Sequence, residues 1–189
     1  GGSLDRTLEI ARAMADQALA ISPRGRAHQM HQGALAASGE VLLFLHADTC
    51  LPDGWQAALR KAWSSHDKPI ATAFRLRFNS ENLFYRFLSR AANFRTAWTG
   101  VPHGDQAIAV GTDVYRQVGG LPPVPLMEEY ALFAKLAKLG RVRIIPEPVT
   151  TSVRRYEKNG RIFNALRNIV IIALFYLGVP PRVLAGFYQ

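Results

Sequence analysis

A chain of 189 residues, 49% hydrophobic and 20% charged, can fold as one domain around a real core; a disordered tail, a fibre and a low-complexity linker are excluded. Its single cysteine, Cys50, excludes a disulfide scaffold and a cysteine-rich zinc module and fits a reducing, cytoplasmic setting. The net charge of +9 favours phosphate-bearing partners, and the stretch 151–189 alone carries +5, with Arg154, Arg155, Lys158, Arg161, Arg167 and Arg182 against Glu157.

Leu8, Ala11, Ala15 and Leu19, joined by Met14 and Ala18, predict a first helix, with Ser3 or Asp5 as its N-cap. Ser22-Pro23-Arg24-Gly25 breaks it, and a second helix follows over about Ala27 to Ser38, stopped by Gly39. Val41-Leu42-Leu43-Phe44-Leu45 is wholly apolar and reads as a central strand buried on both faces. It ends in His46-Ala47-Asp48-Thr49, and Asp53 then opens a third helix through Trp63. Phe74, Leu76 and Phe78 alternate with Arg75 and Arg77, the pattern of a half-buried strand. Asn79 to Trp98 is predicted helical, with Leu83, Phe84, Phe87, Leu88 and Ala91 on one stripe. A loop over 99–104, a strand over 107–110, a helix over 128–139 and a strand over 142–145 come next. The last long helix spans Asn159 to Leu177 and stops at Pro180-Pro181. Strands and helices alternate without repeats, which predicts one α/β domain over 1–189 with a mostly parallel central sheet; 151–189 is a basic and apolar helical segment.

In open α/β sheets ligands bind beyond the carboxyl ends of the strands. Asp48 falls there, directly after the most apolar run. It is either a hard oxygen ligand for Mg²⁺ or Mn²⁺, with His46 tilting the choice to Mn²⁺, or the cap of the following turn. Gly104-Asp105-Gln106 either read ligand hydroxyls by hydrogen bonds or form a polar turn. Tyr115 and Trp98 are candidates for the floor of a ligand site, with core packing as the plainer reading. Glu128 and Glu129 open a helix, where acids also complement the helix dipole. Arg154 and Arg155 are suited to phosphate by their forked donors, or form a solvated charge pair.

Several motifs in order carry a resemblance. Gly1-Gly2-Ser3-Leu4-Asp5-Arg6-Thr7 is similar to the Gly-Ser-x-Asp-x-Thr turn of family 2 glycosyltransferases. Arg26-Ala27-His28-Gln29-Met30, Gly33-Ala34, Ala37-Ser38-Gly39-Glu40 and Leu43-Phe44-Leu45-His46-Ala47-Asp48-Thr49 continue the pattern. Gly104-Asp105-Gln106, Met127-Glu128-Glu129 and Thr151-Ser152-Val153-Arg154-Arg155 complete it over nearly the whole chain. The chain most resembles a bacterial subgroup whose metal motif is His-Ala-Asp, linked to arsenosugar biosynthesis and radical-SAM neighbours.

The resemblance implies a GT-A, Rossmann-like fold, a nucleotide-diphosphate sugar donor, a divalent metal (Mn²⁺ or Mg²⁺) and inverting transfer to an acceptor hydroxyl. It places the metal on Asp48 with His46, and the nucleotide near Gly2, Ser3, Asp5, Arg26 and Gln29. It sets the leaving diphosphate near Arg154 and Arg155, and the acceptor or sugar near Gly104, Asp105 and Gln106. Glu129, with Glu128 beside it, takes the place of the general base, although the family pair is Glu-Asp. His31 stands where the family often has Asn.

The family's strand, helix and strand ahead of the Gly-Ser turn are missing, so the resemblance predicts an N-terminally truncated fold. An open sheet edge, with a dimer or a compromised donor site as its outcome, is then expected. Ile169 to Leu177, flanked by arginines, either packs on the domain or a second subunit or lies on an anionic membrane at the inner face. A catalytically impaired nucleotide-binding relic and a basic membrane-surface interaction protein are the alternative functions. Nucleic-acid binding is disfavoured, since no basic stripe interleaves with aromatics.

Overall fold

The computed structural model describes residues 2–187; Gly1, part of the predicted donor turn, lies outside them. The strands are β1 (Val41–Phe44), β2 (Thr49–Cys50), β3 (Ala71–Phe78), β4 (Ile108–Gly111) and β5 (Val142–Thr151). The α-helices are α1 (Thr7–Met14), α2 (Arg26–Ala36), α3 (Trp55–Trp63), α4 (Leu83–Thr99), α5 (Thr112–Gln117), α6 (Glu128–Leu136), α7 (Arg154–Asn159), α8 (Arg161–Tyr176) and α9 (Pro181–Gly186), with a 3₁₀ turn at Gly104–Gln106.

The strands form one sheet in the order β1-β4-β3-β5-β2. β4 runs antiparallel to both β1 and β3, β5 parallel to β3, and β2 antiparallel to β5. The sheet is therefore mixed rather than mostly parallel: β1, β3 and β5 share a direction, but β4 runs between two of them the opposite way. β1 is an edge strand and not the central one. Its Leu42 and Phe44 are buried while Val41 and Leu43 are half-buried, so an all-apolar run here serves an alternating burial pattern. Among the described residues its outer edge carries no strand.

Alternation along β3 splits the core. Ala71 and Ala73 pack with Leu42, Phe44, Ile108, Val110, Leu132 and Phe133 on one face. Phe74, Leu76 and Phe78 pack with Ala62, Tyr85, Ile145 and Val149 on the other, and Arg75 and Arg77 stay exposed. β5 continues through Pro146 and Pro148, beyond its predicted end. Its register jumps there, pairing Phe74 with Ile145 and Arg75 with Pro148, because neither proline can donate to the ladder. A third cluster joins Leu126, Met127 and Tyr130 to Ile171 and Leu184 of α8 and α9.

Three helices differ from expectation. α1 stops at Met14 because none of its residues is buried, so its apolar stripe finds nothing to pack against. The predicted C-terminal helix begins earlier and is split by Gly160 (φ 85°) into α7 and α8. α4 is capped by Asn82, whose side chain accepts from the Phe84 amide at 2.9 Å. It turns Tyr85, Ser89 and Thr96 inward, leaving Leu83 and Phe87 exposed.

Candidate active site

The carboxyl ends of β1, β3 and β5 all reach one cavity of about 620 Å³. The loop after β1 crosses the end of the sheet to β2, where Thr49 and Cys50 pair with Thr151 and Thr150. The Asp48 carbonyl accepts from the Ser152 amide at 3.0 Å, and Thr49 Oγ1 donates to Thr151 Oγ1 at 3.0 Å. The tie holds the His46–Asp48 segment to the chain that leads into Arg154 and Arg155, and all five residues line the cavity.

The acid pair enters from the other side. Met127, at φ 61° and ψ 26°, turns the chain into α6 in a left-handed conformation that a non-glycine residue seldom adopts. That turn delivers Glu128 and Glu129, 1% and 6% exposed, to the first turn of α6. Arg26 Nε donates to Glu128 Oε1 at 2.6 Å, and its Nη2 donates to Glu129 Oε1 at 3.3 Å. The Gly104 amide donates to the same Glu129 oxygen at 3.1 Å. Glu128 Oε2 is buried without a hydrogen-bond partner. Burial first, and then the charge of Glu128, push the Glu129 carboxyl up to about 7.

Gly104 has no room for a side chain: a Cβ there would lie 2.5 Å from His46 Nε2 and 2.6 Å from Glu129 Oε1. His46 and Glu129 thus converge on one backbone position. His46 Nε2 is itself buried with no partner. Burial, then the charge of Arg26, hold this imidazole below its ordinary pKa, which favours the neutral, metal-binding form. Among the described residues no group of three His, Cys, Asp or Glu side chains forms a complete metal-ligand set. The orphaned imidazole nitrogen of His46 and the exposed Asp48 belong to residues lining the same cavity, a pair of donor types that fits part of a divalent-ion site.

Of the remaining predicted residues, Arg26, Gln29, Gly104 and Asp105 also line the cavity. Burial raises the Asp105 carboxyl, and its Oδ1 is buried without a partner. Gln106 does not face the cavity. Its amide is engaged within the fold, accepting from Thr96 Oγ1 (2.8 Å) and the His103 amide (3.0 Å) and donating to the Phe74 carbonyl (3.2 Å). Gly2, Ser3 and Asp5 are exposed and outside the cavity lining. Asp5 accepts from the Thr7 hydroxyl and amide, which holds its carboxyl low, while Arg6 takes the cap position of α1; the Gly2 carbonyl accepts from Arg24. Tyr115 is core, its hydroxyl joined to His31 Nδ1 at 3.0 Å and accepting from the Leu121 amide, so neither His31 nor Tyr115 lines the cavity. Trp98 is exposed and does not line it.

Sequence reasoning missed a second line of polar residues. Arg95 Nη1 lies 3.0 Å from His103 Nδ1, and His103 Nε2 lies 2.9 Å from Tyr130 Oη. Both His103 and Tyr130 reach the cavity. Burial, reinforced by Arg95, holds the imidazole well below its usual range, and burial pushes the Tyr130 hydroxyl up to about 12. The one signal available was the position of Tyr130, next to the acid pair.

Residues 1–120 match the family model for glycosyl transferase family 2. The chain belongs to that family, whose members are nucleotide-sugar glycosyltransferases of the GT-A fold. No curated protein matches it. The match includes His46, Asp48 and Gly104 but ends before the acid pair and the two arginines, whose interest rests on geometry.

Proposed function

We propose that the chain transfers a sugar from a nucleotide-diphosphate donor to an acceptor hydroxyl, inverting the anomeric carbon. The observation that carries this reading is Glu129: a buried carboxyl poised near neutrality, in the same cavity as Asp48 and His46. The acceptor oxygen attacks the anomeric carbon, Glu129 takes the hydroxyl proton, and the bond to the diphosphate oxygen breaks. Arg26 holds Glu129 in place, and the Gly104 amide fixes which oxygen faces it. Arg154 and Arg155 bind the departing diphosphate through charge-assisted hydrogen bonds. His46 and Asp48 would hold a Mn²⁺ or Mg²⁺ ion, which would supply positive charge to offset that of the diphosphate. Asp105, Gln29 and Tyr130 contact the acceptor or sugar hydroxyls.

The test is a panel of nucleotide sugars with Mn²⁺, assayed for donor turnover with the parent, Asp48→Ala and Glu129→Gln. Turnover that both substitutions abolish supports the reading. Turnover unchanged in either assigns that residue elsewhere.

A further inference from the structure

The outer surface of α8 inverts the usual arrangement of a surface helix. Solvent-facing positions on such a helix are ordinarily polar. Here Ile162, Phe163, Leu166, Ile169, Val170 and Leu177 are 53–80% exposed. Two of its polar residues, Asn164 and Asn168, are turned inward instead. Asn164, fully buried, donates to the Gly160 carbonyl at 3.0 Å and accepts from Arg167 at 2.7 Å; Asn168 donates to Tyr156 Oη at 3.2 Å. The prediction that this helix packs its apolar run on the domain holds only for part of it: Ile171 is buried, while Ile169, Val170 and Leu177 are not.

A second stripe adjoins the first. On α4, Leu83, Phe87, Phe94 and Trp98 recur at intervals of four and seven and are 70–83% exposed. The Arg161 guanidinium sits 5.8 Å from the Phe84 ring centroid, joining the start of α8 to the start of α4. Apolar surface of this extent is not left open by a protein without something to cover it.

Charge decides what covers it. The exposed cations Arg86, Arg90, Arg161 and Arg182 are carried by the same three helices as the exposed apolar side chains, and α4, α8 and α9 contain no Asp or Glu. A second copy laid on this face would bring these arginines against their own counterparts. An anionic lipid surface complements both features: acyl chains take the aromatic and aliphatic side chains, and headgroup phosphates take the guanidinium groups. No described helix is long and apolar enough to cross a membrane, so the contact is with one leaflet.

We propose that the α4–α8–α9 face docks on the surface of a membrane containing anionic lipid. α8 then faces lipid on its outer side and, through Asn164, Asn168 and Ile171, lines the cavity on its inner side. The inference concerns where the protein sits and does not depend on the sugar chemistry.

The experiment is flotation of the full chain with vesicles of phosphatidylcholine alone, and of phosphatidylcholine and phosphatidylglycerol in equal parts, without a sugar donor. The protein is expected to float with the mixed vesicles only, and high salt should weaken the binding. Trp98 should shift its emission to the blue and be quenched by brominated lipid, a readout that needs no variant of the face. Replacing Arg86 and Arg90 by Gln should weaken vesicle binding by about fivefold for each arginine. The double substitution Phe94→Ser with Trp98→Ser, at exposed positions, should abolish flotation while leaving the far-UV dichroism unchanged. Failure to float with the mixed vesicles overturns the proposal, as does undiminished flotation of the Phe94/Trp98 variant. So does a dimer, seen by light scattering, that the same variant splits.

Discussion

Arg26 Nε stands 2.6 Å from Glu128 Oε1, and the same guanidinium also serves Glu129, so one cation answers two buried acids. Replacing Arg26 by Met leaves both carboxyls in the site with no counter-charge. The Arg26 side chain is 42% exposed, which keeps the loss below that of a fully buried pair. We expect destabilisation of about 2 kcal/mol, read as a fall in melting temperature of roughly 4–8 °C.

Glu129 makes both stability and activity depend on pH near neutrality. Its carboxyl is raised from 4.5 to about 7, so between those values the folded chain holds a proton that the unfolded chain has released. Its contribution to stability is full below the unfolded value and is lost as pH rises through about 7. The effect is on the order of 3 kcal/mol, and urea melts at about pH 5 and about pH 8 should reveal it. In Glu129→Gln that difference should shrink. Activity runs the opposite way: kcat/KM should climb through about pH 7 as the base ionises. A profile flat across that range would remove Glu129 from the role of base.

Gly104→Ala tests the convergence of His46 and Glu129 on one backbone position. The added methyl would meet both side chains at under 3 Å. Displacing the proposed base and the proposed metal-holding imidazole by about 1 Å should lower kcat by roughly 100-fold. Parent-like turnover would show that the two side chains need not stay where they are.

Asp48→Ala should leave the melting temperature within about 2 °C of the parent, since the side chain is exposed. Metal-dependent turnover should fall at least ~100-fold. A chelator should silence the parent and have no further effect on the variant.

Gln106→Leu separates a structural amide from a substrate-reading one. Three hydrogen bonds are lost, two of them buried and one part-buried, at about 1 kcal/mol each. Chemical denaturation should show a loss of about 3 kcal/mol. KM for the acceptor should stay near the parent value.

Much of the site was legible because its chemistry interrupts an apolar pattern. Asp48 stands out at the end of Val41–Leu45, and Arg75 and Arg77 declare the outer side of β3. The burial of α4 was not legible, because both of its faces are apolar. Phe87 and Tyr85 are equally good core residues on paper, and only the docking of Tyr85 against Phe78 decides between them. β1 was misplaced because an all-apolar run looks the same at an edge as at a centre; pairing with β4 alone makes it an edge. Gln106 followed a motif into the expected site, whereas its amide is engaged by three partners within the fold. Arg26 and the acids are more than a hundred residues apart, so their contact is a product of topology that no local spacing encodes.

The line from Arg95 through His103 to Tyr130 has a sense of travel. A guanidinium has only protons to give, so His103 Nδ1 must receive and, with the ring neutral, Nε2 carries the single hydrogen and passes it towards Tyr130 Oη. The phenol, already accepting, keeps its own hydrogen for whatever occupies the cavity. The far end of the relay therefore dictates that a guest at Tyr130 offers a lone pair, and swapping Arg95 for an acceptor such as Glu would reverse the whole chain without touching a residue of the wall.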